Sequence, residues 1–235
     1  MSGWAAKKFW TEVKATEAEG GFTVELDGRS IKTPAKAPLI VPTMSMAEAI
    51  AAEWDAQDEQ VDPATMPVTR SANAAIDKVA HQFEEVADMI AEYGDADLLC
   101  YRADTPAELA ARQAEAWDPL LDWADKTLGA KLESRTGVLH APQDPRAIEA
   151  LRLKVHKLTP FQLTAFHDLV GISGSLVIGF ADTAGVADPD ALFDLSRIDE
   201  NWQVEQWGED DEATEIAAKK RGEFLHAHNF YLLCK

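Results

Sequence analysis

A chain of 235 residues with 46% apolar and 27% charged residues has the composition of a folded protein, with length for one or two domains that each bury a core. Its 22 Lys and Arg stand against 41 Asp and Glu, a net charge of −19, so it repels nucleic-acid phosphates and anionic lipid surfaces. Disordered, collagen-like and fibrous classes are excluded on the same numbers.

The first 42 residues read as strands. Phe9 to Val13 alternates loosely, Gly20-Gly21 breaks the chain, and Phe22, Val24 and Leu26 then share one face at period two. Asp27-Gly28 predicts a primed two-residue turn, with Arg29 to Thr33 as the returning strand and Leu39-Ile40-Val41 as a further short one. So small a sheet needs a covering helix. Ser45 as cap with Glu48 three residues on starts one, and Ile50 and Trp54 supply its apolar face. The prolines at 63 and 67 then mark a boundary.

Beyond it the period is helical. Ala72, Ile76, Val79, Phe83, Val86, Ile90 and Tyr93 form one seam that stops at Gly94. Thr105-Pro106-Ala107-Glu108 opens the next helix, which Asp118-Pro119 should kink or divide before Trp123 and the stop at Gly129. An extended piece centred on Val138 adds a strand. Asp144-Pro145 and Thr159-Pro160-Phe161-Gln162 start two more helices, and Leu169 to Ala181 is an apolar stretch too short to span a bilayer, hence a buried helix. Within it, Gly171, Gly174, Ser175 and Gly179 keep one face thin. A helix from Asp188-Pro189 carries Leu192, Leu195, Ile198 and Trp202 to a stop at Gly208, and a last one runs from about Asp211 to the end. The fold class is therefore α+β: a small N-terminal antiparallel sheet with a covering helix, residues 1–65, followed by a larger all-helical domain, residues 66–235.

Motifs of dinucleotide, P-loop, nucleophile-elbow and zincin sites do not occur. Gly171-Ile172-Ser173-Gly174-Ser175 has the look of a phosphate loop but no lysine. His226 and His228, two apart, fall on different sides of a helix, so neither a metal nor a cofactor is expected. Cys100 and Cys234 match neither a disulfide framework nor a zinc site and fit a reducing compartment. The N-terminus has no secretory or transit pattern, so the chain reads as soluble and cytoplasmic. Cys100 with His167 and Asp168 could form a nucleophilic group, although a free Cys is more often core. Of seven tryptophans, Trp54, Trp117, Trp123 and Trp202 fit inward positions, while Trp4 and Trp10 are expected to be partly exposed.

Trp207 stands apart. It sits in the most acidic part of the chain: from Asp188 to Glu215 there are eleven acids and one base, Arg197. Such a run is either a solvated face with a favourable acidic helix start or a docking surface for a basic partner, with Trp207 as its anchor.

Eight stretches in order resemble one family. They are Leu26-Asp27-Gly28-Arg29 with Lys32-Thr33-Pro34; Glu53-Trp54 with Gln57; Pro63 to Thr69; Ala75-Ile76-Asp77; Asp97 to Ala103; Trp117 to Leu121; Gly174-Ser175-Leu176; and Asp199-Glu200 through Gln203, Glu205 and Trp207 to Asp210. Together they resemble the assembly chaperone for the catalytic head of the F-type ATP synthase, the factor that handles the α subunit. The resemblance implies a non-enzyme without cofactor, and the lack of a transit pattern at the N-terminus makes a bacterial member the expectation. Such a protein covers the unassembled α subunit and yields it to the β subunit. Glu205, Trp207, Glu209 and Asp210 would be its partner-binding residues, Glu205 and Glu209 pointing the same way from one helix end. A monomer is expected. The alternatives are a small-molecule enzyme using Asp97, or Asp199 with Glu200, as paired carboxylates, and an acidic scaffold for several partners.

Overall fold

Asp27 and Gly28 both take positive φ, 47° and 76°, and join β2 (Gly21–Leu26) to β3 (Arg29–Ser30) as the primed turn the sequence implies. The Asp27 carboxylate accepts from the Thr11 and Glu12 backbone amides, which holds its pKa below the ordinary value. The first strand, β1 (Val13–Ala18), begins where the expected one ends, and pairs antiparallel with β2 through a turn at Glu19-Gly20. Leu39 to Val41 is not a full strand: Val41 alone bridges to Phe22, with N–H donated each way at 2.8 and 2.9 Å. Gly21 makes that approach feasible, because a Cβ there would stand 2.4 Å from the Val41 carbonyl oxygen.

The computed structural model describes residues 7–235, so Trp4 lies outside the described residues. These pack as two units: residues 7–83 with Thr159–Ala165 and Asn229–Lys235, and Glu84–Leu158 with Phe166–His228. The expected division after residue 65 falls inside the first unit.

In the first unit, α1 (Met44–Asp55) packs on β1 and β2, and Ile50, Met46, Val24 and Leu39 lose all or nearly all contact with water. Trp10, expected near the surface, is 4% exposed and meets the Trp54 ring edge-on at 5.2 Å. The cap of α1 is Thr43 rather than Ser45: its hydroxyl accepts from Met46 N–H and donates to the Leu233 carbonyl. The predicted seam from Ala72 to Tyr93 is not one helix. It divides into α2 (Pro67–Asp77), a 3₁₀ turn at Val79–His81 and α3 (Phe83–Ala91), a break that no Gly or Pro announces.

In the second unit, α4 (Ala107–Trp123) runs undivided through Pro119 into a wider turn that Gly129 ends in the left-handed region. Its cap is Pro106, without a side-chain bond, instead of Thr105. The strand near Val138 is β5 (Arg135–Thr136), parallel to β4 (Tyr101–Arg102), with Val138 beyond its end. The helix α5 (Pro145–Val155) is capped by Asp144 as expected, and α6 (Pro160–Ser173), whose first residues to Ala165 belong to the first unit, by the Thr159–Gln162 box. The apolar stretch from Leu169 is two helices, since Gly174 takes φ 71° and Ser175 caps α7 (Leu176–Thr183). Only Gly179 of the small residues meets a crowded neighbour, since a Cβ there would lie 2.7 Å from the Val170 side chain. The Asp188 segment is likewise two helices, α8 (Pro189–Leu195) and α9 (Ile198–Trp207), parted at Ser196-Arg197. The last helix is α10 (Asp211–Leu232). Trp117, Phe166, Phe193 and Phe224 are fully buried in this unit. The α+β class thus holds. Among the described residues no helix is long and apolar enough to cross a membrane.

Candidate partner-binding site

Trp207 is the last residue of α9. Gly208 closes the helix at φ 91°, ψ 170°, a conformation that a residue with Cβ resists, and donates its N–H to the Val204 carbonyl at 2.8 Å. Two residues on, the Asp210 carboxylate accepts from Ala213 N–H at 2.8 Å and starts α10, with Asp211 and Glu212 in the favourable first turn. The indole is thus held out between one helix end and the next start. It is 78% exposed, where Trp117 is 1%.

A hollow opens on either side of this ring. One, of about 380 Å³, is walled by Pro106, Leu109, Val138 and Trp202, with Gln113 and Asp199 joined by a 2.5 Å hydrogen bond in its lining. The other, of about 460 Å³, lies among α9, the Gly208–Asp210 turn and Ala213, Thr214 and Ala217 of α10. Val138 is 90% and Leu139 85% exposed, so apolar surface stands in water beside Trp207.

The sequence-predicted residues divide by role. Trp207, Glu209 and Asp210 do meet at one surface, around the second hollow. Glu205 is engaged within the protein: the Arg112 guanidinium donates to its carboxylate at 2.7 Å and holds its pKa below the ordinary range. The same guanidinium lies 4.8 Å from the Trp202 ring, tying α4 to α9. Glu209 is past the end of α9, so its expected helical spacing from Glu205 does not apply. Arg112 and Leu109 draw no reading from sequence, Trp202 reads as an inward core position and Val138 as the centre of a strand, so none of the four reads as part of a site.

The other candidates serve the fold. Asp97 is fully buried and accepts from Leu99 N–H, Ser175 Oγ and Val177 N–H at 2.7–3.0 Å. Asp199 bonds Gln113 and Glu200 bonds Arg197, so these neighbours in sequence are not a carboxylate pair. Burial pushes the Cys100 thiol up to about 12, far from a nucleophile. His167 pairs with Asp168, which raises its pKa, and His228 meets Asp182 at 3.0 Å. The serines of the Gly171–Ser175 segment are spent, Ser173 on the Leu169 carbonyl and Ser175 on Asp97. Among the described residues no three His, Cys, Asp or Glu are placed to hold a metal ion. Most residues of the family-like stretches work internally too. Glu53 accepts from Val68 and Thr69 N–H, Asp77 from the Thr33 hydroxyl, and Arg102 donates to Asp118 and the Gln113 carbonyl.

Exposed apolar side chains at a helix junction, in an acidic rim, are the features of a surface suited to another polypeptide. Comparison with known proteins narrows the class. Residues 7–125 match the ATP12 chaperone protein family. The chain is 49% identical to Atp12 of Paracoccus denitrificans, whose crystal structure superposes at a TM-score of 0.96 over 98% of this chain and 99% of that one. The crystal structure of Atu1473 of Agrobacterium tumefaciens is 41% identical, at a TM-score of 0.93 over 97% and 86%. The mitochondrial protein atp12 of Schizosaccharomyces pombe is 27% identical over 222 residues, 89% of this chain and 76% of that one. The chain belongs to the ATP12 family, chaperones of ATP synthase assembly and not enzymes.

Proposed function

We propose that this protein binds the unassembled α subunit of the ATP synthase catalytic head, covers the flank that the β subunit will occupy, and releases it on assembly. The reading works best for a monomer in the aqueous compartment where the head is built, the bacterial cytoplasm or its mitochondrial counterpart. Trp207, Glu209 and Asp210 form the client face, with Glu205 beside them. The observation that carries the reading is the indole of Trp207, 78% exposed between two hollows and fixed there by a glycine stop and an aspartate cap. An orphan subunit presents an apolar patch that self-associates. A chaperone must cover that patch yet lose it to the true partner, which suits one aromatic anchor in a charged rim better than a wide apolar interface.

The test is light scattering by purified α subunit diluted from denaturant. Added chaperone should suppress aggregation near equimolar ratio, and Trp207→Ala should lose most of that effect while keeping its circular dichroism. Equal aggregation with and without the protein overturns the reading.

A further inference from the structure

The hollow on the Pro106 side of Trp207 restricts what can enter it. At about 380 Å³ it is near the small end of ligand clefts, room for one large side chain with its backbone rather than for a folded surface. Its wall is apolar: Pro106, Leu109, Val138, Trp202 and Trp207.

Its charge is one-sided. Among the described residues Arg102 is the only cation in the lining, and it is 9% exposed, its guanidinium donating to Asp118 at 2.6 Å and to the Gln113 carbonyl at 2.9 Å over the Trp117 ring. Nearby Arg112 is paired with Glu205. The acids Asp104 and Asp199 line the same hollow, and the one across Trp207 is lined by Glu209, Asp210 and Glu200, the last paired with Arg197. An incoming apolar side chain therefore brings its sequence neighbours into a negative field, in which Lys or Arg is attracted and Asp or Glu repelled.

We propose that this hollow receives a single large apolar side chain flanked by basic residues, presented by a segment of the client. The proposal rests on the chaperone reading above for the identity of that client, while the chemistry of the occupant comes from the hollow itself.

Short peptides test it on the full-length protein. The indole N–H signals of Trp202 and Trp207, assigned with Trp→Phe variants, are followed by NMR during titration with acetyl-Lys-Phe-Lys-amide, acetyl-Glu-Phe-Glu-amide and acetyl-Lys-Ala-Lys-amide. Both signals should shift with the first peptide and hardly with the other two. Val138→Ser, at a position 90% exposed and so harmless to folding, should weaken the first peptide about threefold to tenfold. An equal response to the acidic peptide makes the hollow merely apolar, an equal response to the alanine peptide makes it merely electrostatic, and an unchanged Val138→Ser affinity places the peptide elsewhere. Each of the three overturns the proposal. Capture of the α subunit is measured on the same samples. If the peptide pattern holds while the α subunit is ignored, the chaperone reading falls and the hollow's chemistry stands; the reverse pattern sinks only the hollow.

Discussion

Asp97 has no exposed surface, and its two oxygens accept from a turn at Leu99 and from Ser175 and Val177 at the start of α7. Burial pushes its pKa from 3.8 up to about 6, against the pull of these donors. The folded chain thus holds a proton in a pH range where the unfolded chain has released it. This group's contribution to stability rises as pH falls from about 6 towards 4, and above 6 the buried charge is carried in full. Asp97→Asn removes the titration and turns an amide N–H₂ towards donors, at a cost on the order of 2–3 kcal/mol. Urea melts of both proteins at pH 7.5 and pH 4.5 should show a wider gap at the lower pH. A gap independent of pH would assign the loss to geometry alone.

Long-range caps hold the helices much as Asp97 holds α7. Met66 precedes α2 without offering a side chain, and Glu53 of α1 supplies the cap, accepting from Val68 and Thr69 N–H at 2.7 and 2.8 Å. Glu53→Ala should cost about 1–3 kcal/mol in chemical denaturation, and Glu53→Gln less, since the amide oxygen still accepts one bond. An unperturbed melting curve for Glu53→Ala would mean that water caps the helix as well. Local chemistry of this kind was legible from sequence at Asp27-Gly28, Asp144, Thr159 with Gln162, Asp188 and Gly208, which act as their residue types imply, but Ser45 and Thr105 read as caps where Thr43 and Pro106 stand. Caps from fifteen or eighty residues away leave no such mark, which is why Glu53 and Asp97 read only as members of a family pattern. Helix breaks at Lys78 and Ser196 were hidden because each half keeps the apolar spacing of the whole. The hollow was hidden because Leu109, Val138 and Trp202 come from three separate segments. The Arg112–Glu205 bridge between α4 and α9 is of the same class. Reversing one partner, Glu205→Arg, should weaken α-subunit capture by setting two cations face to face. The double change Glu205→Arg with Arg112→Glu should restore it if the pair only positions Trp202. Failure of the swap to rescue, with both proteins folded, makes Glu205 a direct client contact instead.

At the scale of the molecule the excess of 41 acids over 22 bases is a field, not a set of bonds. Charge of one sign speeds the encounter with a basic segment and is screened within about 10 Å at 0.1 M salt, whereas a seated side chain governs departure. The two contributions separate in kinetics. Glu209→Lys lies on the rim, past the end of α9, and should lower the association rate with the α subunit severalfold at 20 mM salt but little at 300 mM. Its dissociation rate should stay near that of the parent. Trp207→Ala removes the exposed anchor, so its dissociation should quicken tenfold or more at either salt while association changes little. Stopped-flow fluorescence with labelled α subunit resolves both rates. If Glu209→Lys instead speeds dissociation, the carboxylate touches the client in the bound state, and the rim is part of the seat itself.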